Sequence, residues 1–149
     1  MRYLPLLLLL LACSPDLQTR RQTELDKYRR ELIATGDVND AVPAGRQYIR
    51  LAERYARAYP TDTLATRYLF VAADVARGLR HYEQALALWA RVSEQAAFAN
   101  APEAIFLSGF TTETGLRDPA RAAAYYREFL ARYPTHELAG QVRQLLSLL

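Results

Sequence analysis

Residues 131–139 read ARYPTHELA, and residues 57–65 read RAYPTDTLA. Tyr, Pro, Thr, Leu and Ala recur in the same order in the two stretches. Because proline has no backbone N–H to donate inside a helix, each Tyr-Pro pair is expected to end a helix. The threonine directly after the proline is expected to cap the next helix. The repeated stretch therefore predicts the same boundary between helical units at two places in the chain.

A second repeated segment gives the period. One copy begins at Gly78 and reads GLRHYEQALALWARV; the other begins at Gly115 and reads GLRDPARAAAYYREF, so the step is 115 minus 78, or 37. The step from position 57 to position 131 is twice as long, so the chain carries one unit in three imperfect copies. The middle copy departs from the others, because Ala96 and Ala97 stand where they have Tyr-Pro. A period of roughly 20–50 residues is typical of solenoids.

Each unit is predicted to contain two helices. The second helix of the last full unit carries one apolar stripe at spacings of three and four residues, formed by Ala122, Tyr125, Tyr126, Phe129 and Leu130. The first helix of that unit is expected to be capped by Asn100, to carry Pro102 in its first turn, and to run to about Thr114, where Gly115 ends it. The second helix is expected to start at Asp118 and Pro119. Thr135 is expected to cap a closing helix.

The segment before the units is predicted to form one more helix, over residues 18–35. Leu25, Tyr28 and Leu32 fall on one face of it, at spacings of three and four residues. Residues 36–45 are expected to form a loop. No stretch of useful length alternates between apolar and polar residues with a period of two, so no strand is expected.

Four positions of the last full unit carry a family resemblance. Gly109, Ala122, Phe129 and Pro134 resemble the small, small, large and proline positions of the tetratricopeptide repeat. The preceding unit has Ala72, Ala85, Val92 and Ala97 there, without the proline. The family's unit is usually about 34 residues long, and it usually has alanine in place of Phe129. The resemblance covers about residues 43–149 and implies an all-α fold of tetratricopeptide-like helical hairpin repeats forming a short right-handed solenoid. The whole helical domain is expected over residues 20–149.

The N-terminus has the pattern of an exported, lipid-modified protein. Arg2 precedes an apolar run over residues 4–12, which is too short for the ~20 residues of a membrane-spanning helix. The length suits a signal peptide. The run ends in Leu-Leu-Ala before Cys13, which resembles the bacterial lipoprotein lipobox. We therefore expect a signal peptide over 1–12, lipidation of Cys13 and a lipidated linker over 13–19; the alternative is a free cysteine in an ordinary signal peptide.

A lipobox followed by this repeat is similar to the small tetratricopeptide lipoproteins of bacterial outer membranes, and more distantly to the assembly lipoproteins of the BamD type. That resemblance implies a protein anchored in the membrane by its acyl chains and bound to other envelope proteins. Ser14 follows the cysteine, where aspartate would favour the inner membrane, so we expect an outer-membrane lipoprotein facing the periplasm.

The composition offers no catalytic or nucleic-acid-binding pattern. The formal net charge is only +3, with 19 basic and 16 acidic residues interspersed along the chain, so nucleic acid is not an expected partner. The two histidines, His81 and His136, lie far apart in the sequence and are expected to be exposed on the surface. No serine lies in a nucleophile-elbow context and no glycine-rich phosphate loop occurs. We therefore expect no enzyme, no metal site and no cofactor.

The expected function is a protein–protein interaction adaptor or scaffold in the bacterial envelope. The alternative is an outer-membrane small-ligand or peptidoglycan-facing binding protein. Helix-pair stacks leave a concave surface lined by the first helix of each pair. By resemblance, the candidate groove residues are Thr66, Leu69, Ala73, Arg77, Glu103, Phe106, Phe110, Glu113 and Thr114. For Leu69, Phe106 and Phe110 the alternative is that they belong to the core.

Replacing Cys13 by alanine is expected to remove the lipid anchor, because the thiol is the atom that would carry the diacylglyceryl group. The wild-type protein should take up labelled fatty acid and sediment with membranes, whereas Cys13→Ala should do neither. Metabolic labelling and cell fractionation measure this. An unlabelled wild type, together with a mutant that still sediments with membranes, would contradict the lipobox interpretation.

Overall fold

The computed structural model describes residues 16–34 and 38–149, with side chains described from residue 41 onward in the second range. These residues form seven α-helices and one π-helical turn and contain no β-strand, which confirms the all-α prediction for the described part of the chain. No helix in that part is long and apolar enough to cross a membrane. The predicted signal peptide and Cys13 lie outside the described residues.

The helices follow one another along the chain, and each packs against the helices before and after it. In chain order they are α1 Leu17–Ala34, α2 Val38–Ala58, α3 Thr63–Gly78, α4 Tyr82–Ser93, α5 Ala101–Thr111 with the π-helical turn Thr112–Leu116, α6 Pro119–Arg132 and α7 Ala139–Leu148. The predicted first helix is confirmed, with Leu25 fully buried. It begins inside the predicted linker, because Asp16 accepts a hydrogen bond from the Thr19 N–H at 2.7 Å.

The buried face of α2, α4 and α6 repeats with the period found in the sequence. Each helix buries three positions completely, separated by four and then three residues, so the three positions form one stripe. The equivalent residues are Tyr48, Ala85 and Ala122 at the first position, Ala52, Trp89 and Tyr126 at the second, and Tyr55, Val92 and Phe129 at the third. The sequence period is therefore also the period of the core.

Two contacts tie α4 to α6, one at each end. Near the N-terminal ends, the Arg121 guanidinium donates to both carboxylate oxygens of Glu83, at 2.7 and 3.0 Å. At the C-terminal ends, the Arg132 guanidinium donates to the Ser93 carbonyl oxygen at 2.6 Å. Because like ends are joined, the two helices run side by side in the same direction. Exposed ion pairs contribute little stability, so the Arg121–Glu83 pair follows from the packing rather than determines it.

The helices after the two Tyr-Pro pairs are not capped by threonine. Asp62 caps α3, its Oδ1 accepting from the Leu64 N–H at 2.9 Å. His136 stands two periods later at the equivalent position, and its Nδ1 accepts from the Leu138 N–H at 3.2 Å just before α7. The prediction that Thr135 caps the closing helix is therefore wrong. The side chain of His136, one residue after Thr135, accepts the hydrogen bond from the Leu138 amide instead. His136 is also half-buried rather than exposed as expected, with its ring 5.6 Å from that of Phe129.

The turn inside each helix pair also differs from the prediction. Gly115 does not end the first helix of the last full unit. The π-helical turn continues α5 to Leu116, and the next residue, Arg117, has a φ of 57°. One period earlier, Arg80 has a φ of 61°. Left-handed backbone is uncommon for residues other than glycine. Gly115 is needed for packing instead, since a Cβ there would lie 2.9 Å from Cε1 of Tyr82.

One further boundary prediction is wrong, one holds in part and two are confirmed. Residues 38–45, expected in a loop, lie in α2, which carries Pro43 inside it; the lost hydrogen bond is offset by the buried stripe downstream. Asn100 stands at the N-cap position of α5 as predicted, but its side chain makes no capping hydrogen bond. Asp118 does cap α6, accepting from the Arg121 N–H at 3.0 Å, and α6 ends directly before Tyr133 and Pro134.

Truncating Phe129 tests whether the stripe of α6 is part of the core. Because the side chain is fully buried, Phe129→Ala should lower the free energy of unfolding by ~3–5 kcal/mol. Arg127→Ala, an exposed change on the same helix, should stay within about 0.5 kcal/mol. Arg132 is an unsuitable control because it holds the Ser93 carbonyl. Equal midpoints for both variants in denaturant melts would contradict the assigned stripe.

Candidate functional site

The candidate groove residues on α3 divide into core and surface. Leu69 and Ala73 are buried, so the core alternative holds for Leu69, and Ala73, expected in the groove, is also part of the core. Thr66 is half-buried. Arg77 is half-buried at the end of α3 and donates to the Asp74 carboxylate at 2.7 Å. Of the four candidates on α3, only Thr66 and Arg77 reach the surface, and Arg77 is already paired with Asp74.

The candidate residues on α5 and the following turn form a mixed aromatic and polar surface. The rings of Phe106 and Phe110 stack with centroids 6.2 Å apart and an interplanar angle of 18°. Phe110 is 37% exposed, while Phe106 is half-buried and packs against the core of α6 and α7. Thr114 is exposed, and its hydroxyl donates to the Phe110 carbonyl at 2.7 Å. An exposed aromatic ring on a fixed neighbour is a typical anchor for a binding partner.

Glu113 is held by the second helix of its own pair. The Tyr126 hydroxyl donates to Glu113 Oε2 at 2.7 Å. Burial, followed by this bond to the carboxylate, raises the pKa of Tyr126 well above its ordinary value, so the phenol stays protonated and continues to donate. The ring of Tyr126 also closes on Gly109, where a Cβ would lie 2.5 Å from Cε1. This contact explains why the small position of the unit is a glycine here.

Glu103 differs from the other acidic candidate. It lies half-buried in the first turn of α5, a position where a carboxylate is favoured by the helix dipole. Its Oε2 is buried and has no hydrogen-bond partner within the described ranges. Two of the nine candidates, Leu69 and Ala73, are therefore buried in the core. The side chains of Arg77, Glu113 and Thr114 are hydrogen-bonded within the fold, and Phe106 and Phe110 form an aromatic patch.

Sequence reasoning missed a cavity of about 270 Å³ between α1, α2 and α3. Its lining includes Gln22, Asp26 and Arg29 from α1, Tyr48 from α2, and Leu64, Arg67, Tyr68 and Val71 from α3. The Tyr48 side chain is fully buried, and its hydroxyl has no hydrogen-bond partner in the described part of the chain. A signal for it existed in the sequence, since Tyr48 stands where the later units have Ala85 and Ala122.

A hydrogen-bond network fixes α1 beside this cavity. Gln18 donates to Asp62 Oδ2 at 2.7 Å, and Gln22 donates to the Tyr55 hydroxyl at 2.7 Å. The Tyr55 hydroxyl in turn donates to Asp62. That hydrogen bond from Tyr55 is the main cause that lowers the pKa of Asp62, so the carboxylate remains ionised. The network joins α1, α2 and the start of α3 into one unit.

A second cleft lies between two connections, the one after α2 and the one after α4. It has a volume of about 470 Å³ and is open to solvent, with Thr66 and Phe98 among its lining residues. Its walls carry no buried unpaired polar group, and Asp62 in its lining is already occupied by the cap and the α1 network. The cleft therefore has room for a ligand, but no buried unpaired polar group among its described lining residues to orient one.

The comparisons with known proteins add no relative. No family model matches the sequence, and a search of the curated proteins gives no match either. Within residues 16–34 and 38–149, no group of three or more His, Cys, Asp or Glu side chains is arranged to hold a metal ion. The function is therefore inferred from the residues themselves.

Replacing Gly109 by alanine tests the close contact with Tyr126. The added methyl group should force the ring away and lower stability by about 1–3 kcal/mol, despite alanine's better helix propensity. The matched control is Gly140→Ala in α7, where no atom lies within 4 Å and the change should raise stability by up to ~1 kcal/mol. Thermal or denaturant unfolding measures both. A stabilising effect at both positions would show that Tyr126 does not pack on Gly109.

Proposed function

We propose that this chain is a lipid-anchored tetratricopeptide-like repeat protein that acts as an interaction adaptor or scaffold in the bacterial envelope, at the outer membrane and facing the periplasm. The observation that carries the proposal is the burial of equivalent residues, one period apart, in α2, α4 and α6. A repeated core without a catalytic constellation is the usual design of proteins that bind others through an extended surface.

Three structural details support a stack of equivalent helix pairs. The parallel contact of α4 with α6 is what two successive second helices make in such a stack. Arg80 and Arg117 take the same left-handed conformation at equivalent turns. Gly109 and Tyr126 make the close contact between the first and second helix that the small position of the repeat permits. The right-handed solenoid is proposed from these equivalences together with the family resemblance.

Membrane attachment is proposed from the lipobox at Cys13. A single acyl chain binds a membrane only marginally, whereas the two or three chains of a bacterial lipoprotein anchor it stably. The helical part would then be held close to the membrane through the short segment before α1. Other envelope proteins are the proposed partners, with the membrane contacted through the anchor alone.

The proposed binding surface is the aromatic patch of α5, formed by Phe106 and Phe110. Phe110 supplies an exposed ring on a rigid helix, and aromatic residues are enriched among those that dominate interface energies. Arg77, Glu113 and Thr114 supply polar groups, although Arg77 and Glu113 are paired within the fold. Reversing the charge at Glu113 would disturb Tyr126, so the patch itself is the better target for a test.

A second candidate function has its own observation. The cavity between α1, α2 and α3, with the unpaired Tyr48 hydroxyl, favours an outer-membrane small-ligand-binding protein. The two functions use different parts of the molecule and are therefore tested separately.

Site-specific photocrosslinking in living cells tests the adaptor proposal. A photoreactive phenylalanine at position 110 should capture a discrete envelope protein, because the ring there is exposed beside Phe106. The matched control places the same group at Ala124, an exposed position of α6. Capture from position 124 but not from position 110 would place the interface on the second helices and overturn the assignment to α5. Capture from neither position would count against the adaptor function.

A further inference from the structure

We propose that the cavity between α1, α2 and α3 is a binding site for the carboxylate of a small organic ligand, held by the Tyr48 hydroxyl and the guanidinium groups of Arg29 and Arg67. This inference rests on the second candidate function and deepens it by naming the ligand chemistry. It does not depend on the aromatic patch of α5.

The first observation is a buried hydroxyl group that has no hydrogen-bond partner among the described residues. Tyr48 is fully buried, and its hydroxyl finds no hydrogen-bond partner in the described part of the chain. Buried polar groups in folded proteins almost always have a partner, and an exception indicates a missing water, ion or ligand. The equivalent residues Ala85 and Ala122 bring no polar atom to this position. The hydroxyl is therefore an addition that the repeat itself does not require.

The second observation is that Tyr48 belongs to the wall of the cavity. The charged or titratable groups that act electrostatically on Tyr48 are Tyr68, Arg29, Asp26 and Arg67, and all four line the cavity. Burial raises the pKa of Tyr48 far above its ordinary value, and it raises the pKa of Tyr68 to about 12. Both phenols therefore stay protonated in neutral solution. Tyr48 thus keeps, in the wall of the cavity, an O–H donor that is unpaired within the described part of the chain.

The charges around the cavity select an anion. Two arginines and one aspartate line it, so the formal charge of the lining is positive. Asp26 is 3.7 Å from Arg29, so the acidic group is already partly neutralised and leaves Arg67 as the exposed cation at the rim. A guanidinium presents two parallel N–H donors that match a carboxylate, and hydrogen bonds to an ionised acceptor are the stronger kind. A cationic ligand would be repelled by Arg67, because the one aspartate of the lining is already close to Arg29.

The size and the walls select a small ligand with an apolar portion. A volume of about 270 Å³ lies just below the range of roughly 300–1,000 Å³ that is usual for ligand pockets. Leu64 and Val71 of α3 provide apolar surface beside the polar groups. A short carboxylic acid fits both features, and it can come from two sources: a free metabolite or the C-terminus of a peptide.

Titration calorimetry on the full chain in detergent micelles tests the proposal with defined probes. Butyrate and succinate represent free acids, and an acetylated dipeptide represents a peptide C-terminus, with its carboxamide as the uncharged control. At least one carboxylate should bind saturably, and the carboxamide should not. Binding of the free acids alone would identify a small-molecule site, whereas binding of the dipeptide alone would identify peptide ends.

Two variants assign the binding to this cavity. Tyr48→Phe removes only the hydroxyl and should weaken binding by about tenfold or more, because a hydrogen bond to a charged acceptor is lost. The same variant should unfold no earlier than the wild type, since the hydroxyl is unpaired without ligand. Arg67→Gln at the exposed rim should weaken binding similarly, while Arg127→Gln on α6 should leave it unchanged.

The proposal is overturned by any of three results. The first is that no carboxylate binds at millimolar concentration. The second is that binding is unaffected by both Tyr48→Phe and Arg67→Gln. The third is that Tyr48→Phe destabilises the fold in the absence of ligand, which would show that a resident water already satisfies the hydroxyl. None of these results affects the crosslinking test of the α5 surface, so the two proposals fail independently.

Discussion

The fold depends on one repeated constraint: three positions of each second helix must be removed from solvent against the neighbouring helices. The units meet this constraint with compensating side-chain volumes. In α4 and α6 the first position is alanine and the second is large, Trp89 or Tyr126; in α2 the first is Tyr48 and the second is Ala52. Because protein interiors are close-packed, an exchange of the large and the small residue between the first two positions keeps the buried volume similar. In α2 this exchange brings a tyrosine to the wall of the cavity between α1, α2 and α3.

Much of the fold follows from the sequence because spacing determines which residues share a face. The repeat period, the all-helical structure, the buried stripe of α6 and the cap at Asp118 all come from local patterns that the packing reinforces. The errors lie at boundaries, where near-equivalent residues compete. Asp62 caps α3 in place of the threonine beside it, His136 in place of Thr135 accepts a hydrogen bond just before α7, and the helix expected to end at Gly115 continues to Leu116. Pro43 favours a loop by its local chemistry, yet the stripe that begins at Tyr48 extends the helix through it.

The candidate site is less predictable than the fold, for a physical reason. Periodicity tells which residues lie on one side of a helix, but not whether a neighbouring helix covers that side. Leu69 and Ala73 on α3 match groove positions by resemblance and are buried, whereas Phe110 on α5 remains exposed. The cavity at Tyr48 depends on how three helices, α1, α2 and α3, pack against one another, so no local pattern contains it. The usable signal is a departure from the repeat, and such departures are where a repeated core can acquire a specific chemistry.

The distances between equivalent positions of successive second helices test the stack most directly. Arg50, Ala87 and Ala124 are exposed, lie on α2, α4 and α6, and are spaced by one period each. With Cys13, the chain's single cysteine, replaced by alanine, spin labels attached to cysteines at two of these positions at a time would report the three distances by pulsed electron resonance. A stack of equivalent pairs predicts equal distances for 50 to 87 and for 87 to 124, with 50 to 124 nearly as long as both together. Clearly unequal steps, or an outer distance no longer than the inner ones, would contradict it.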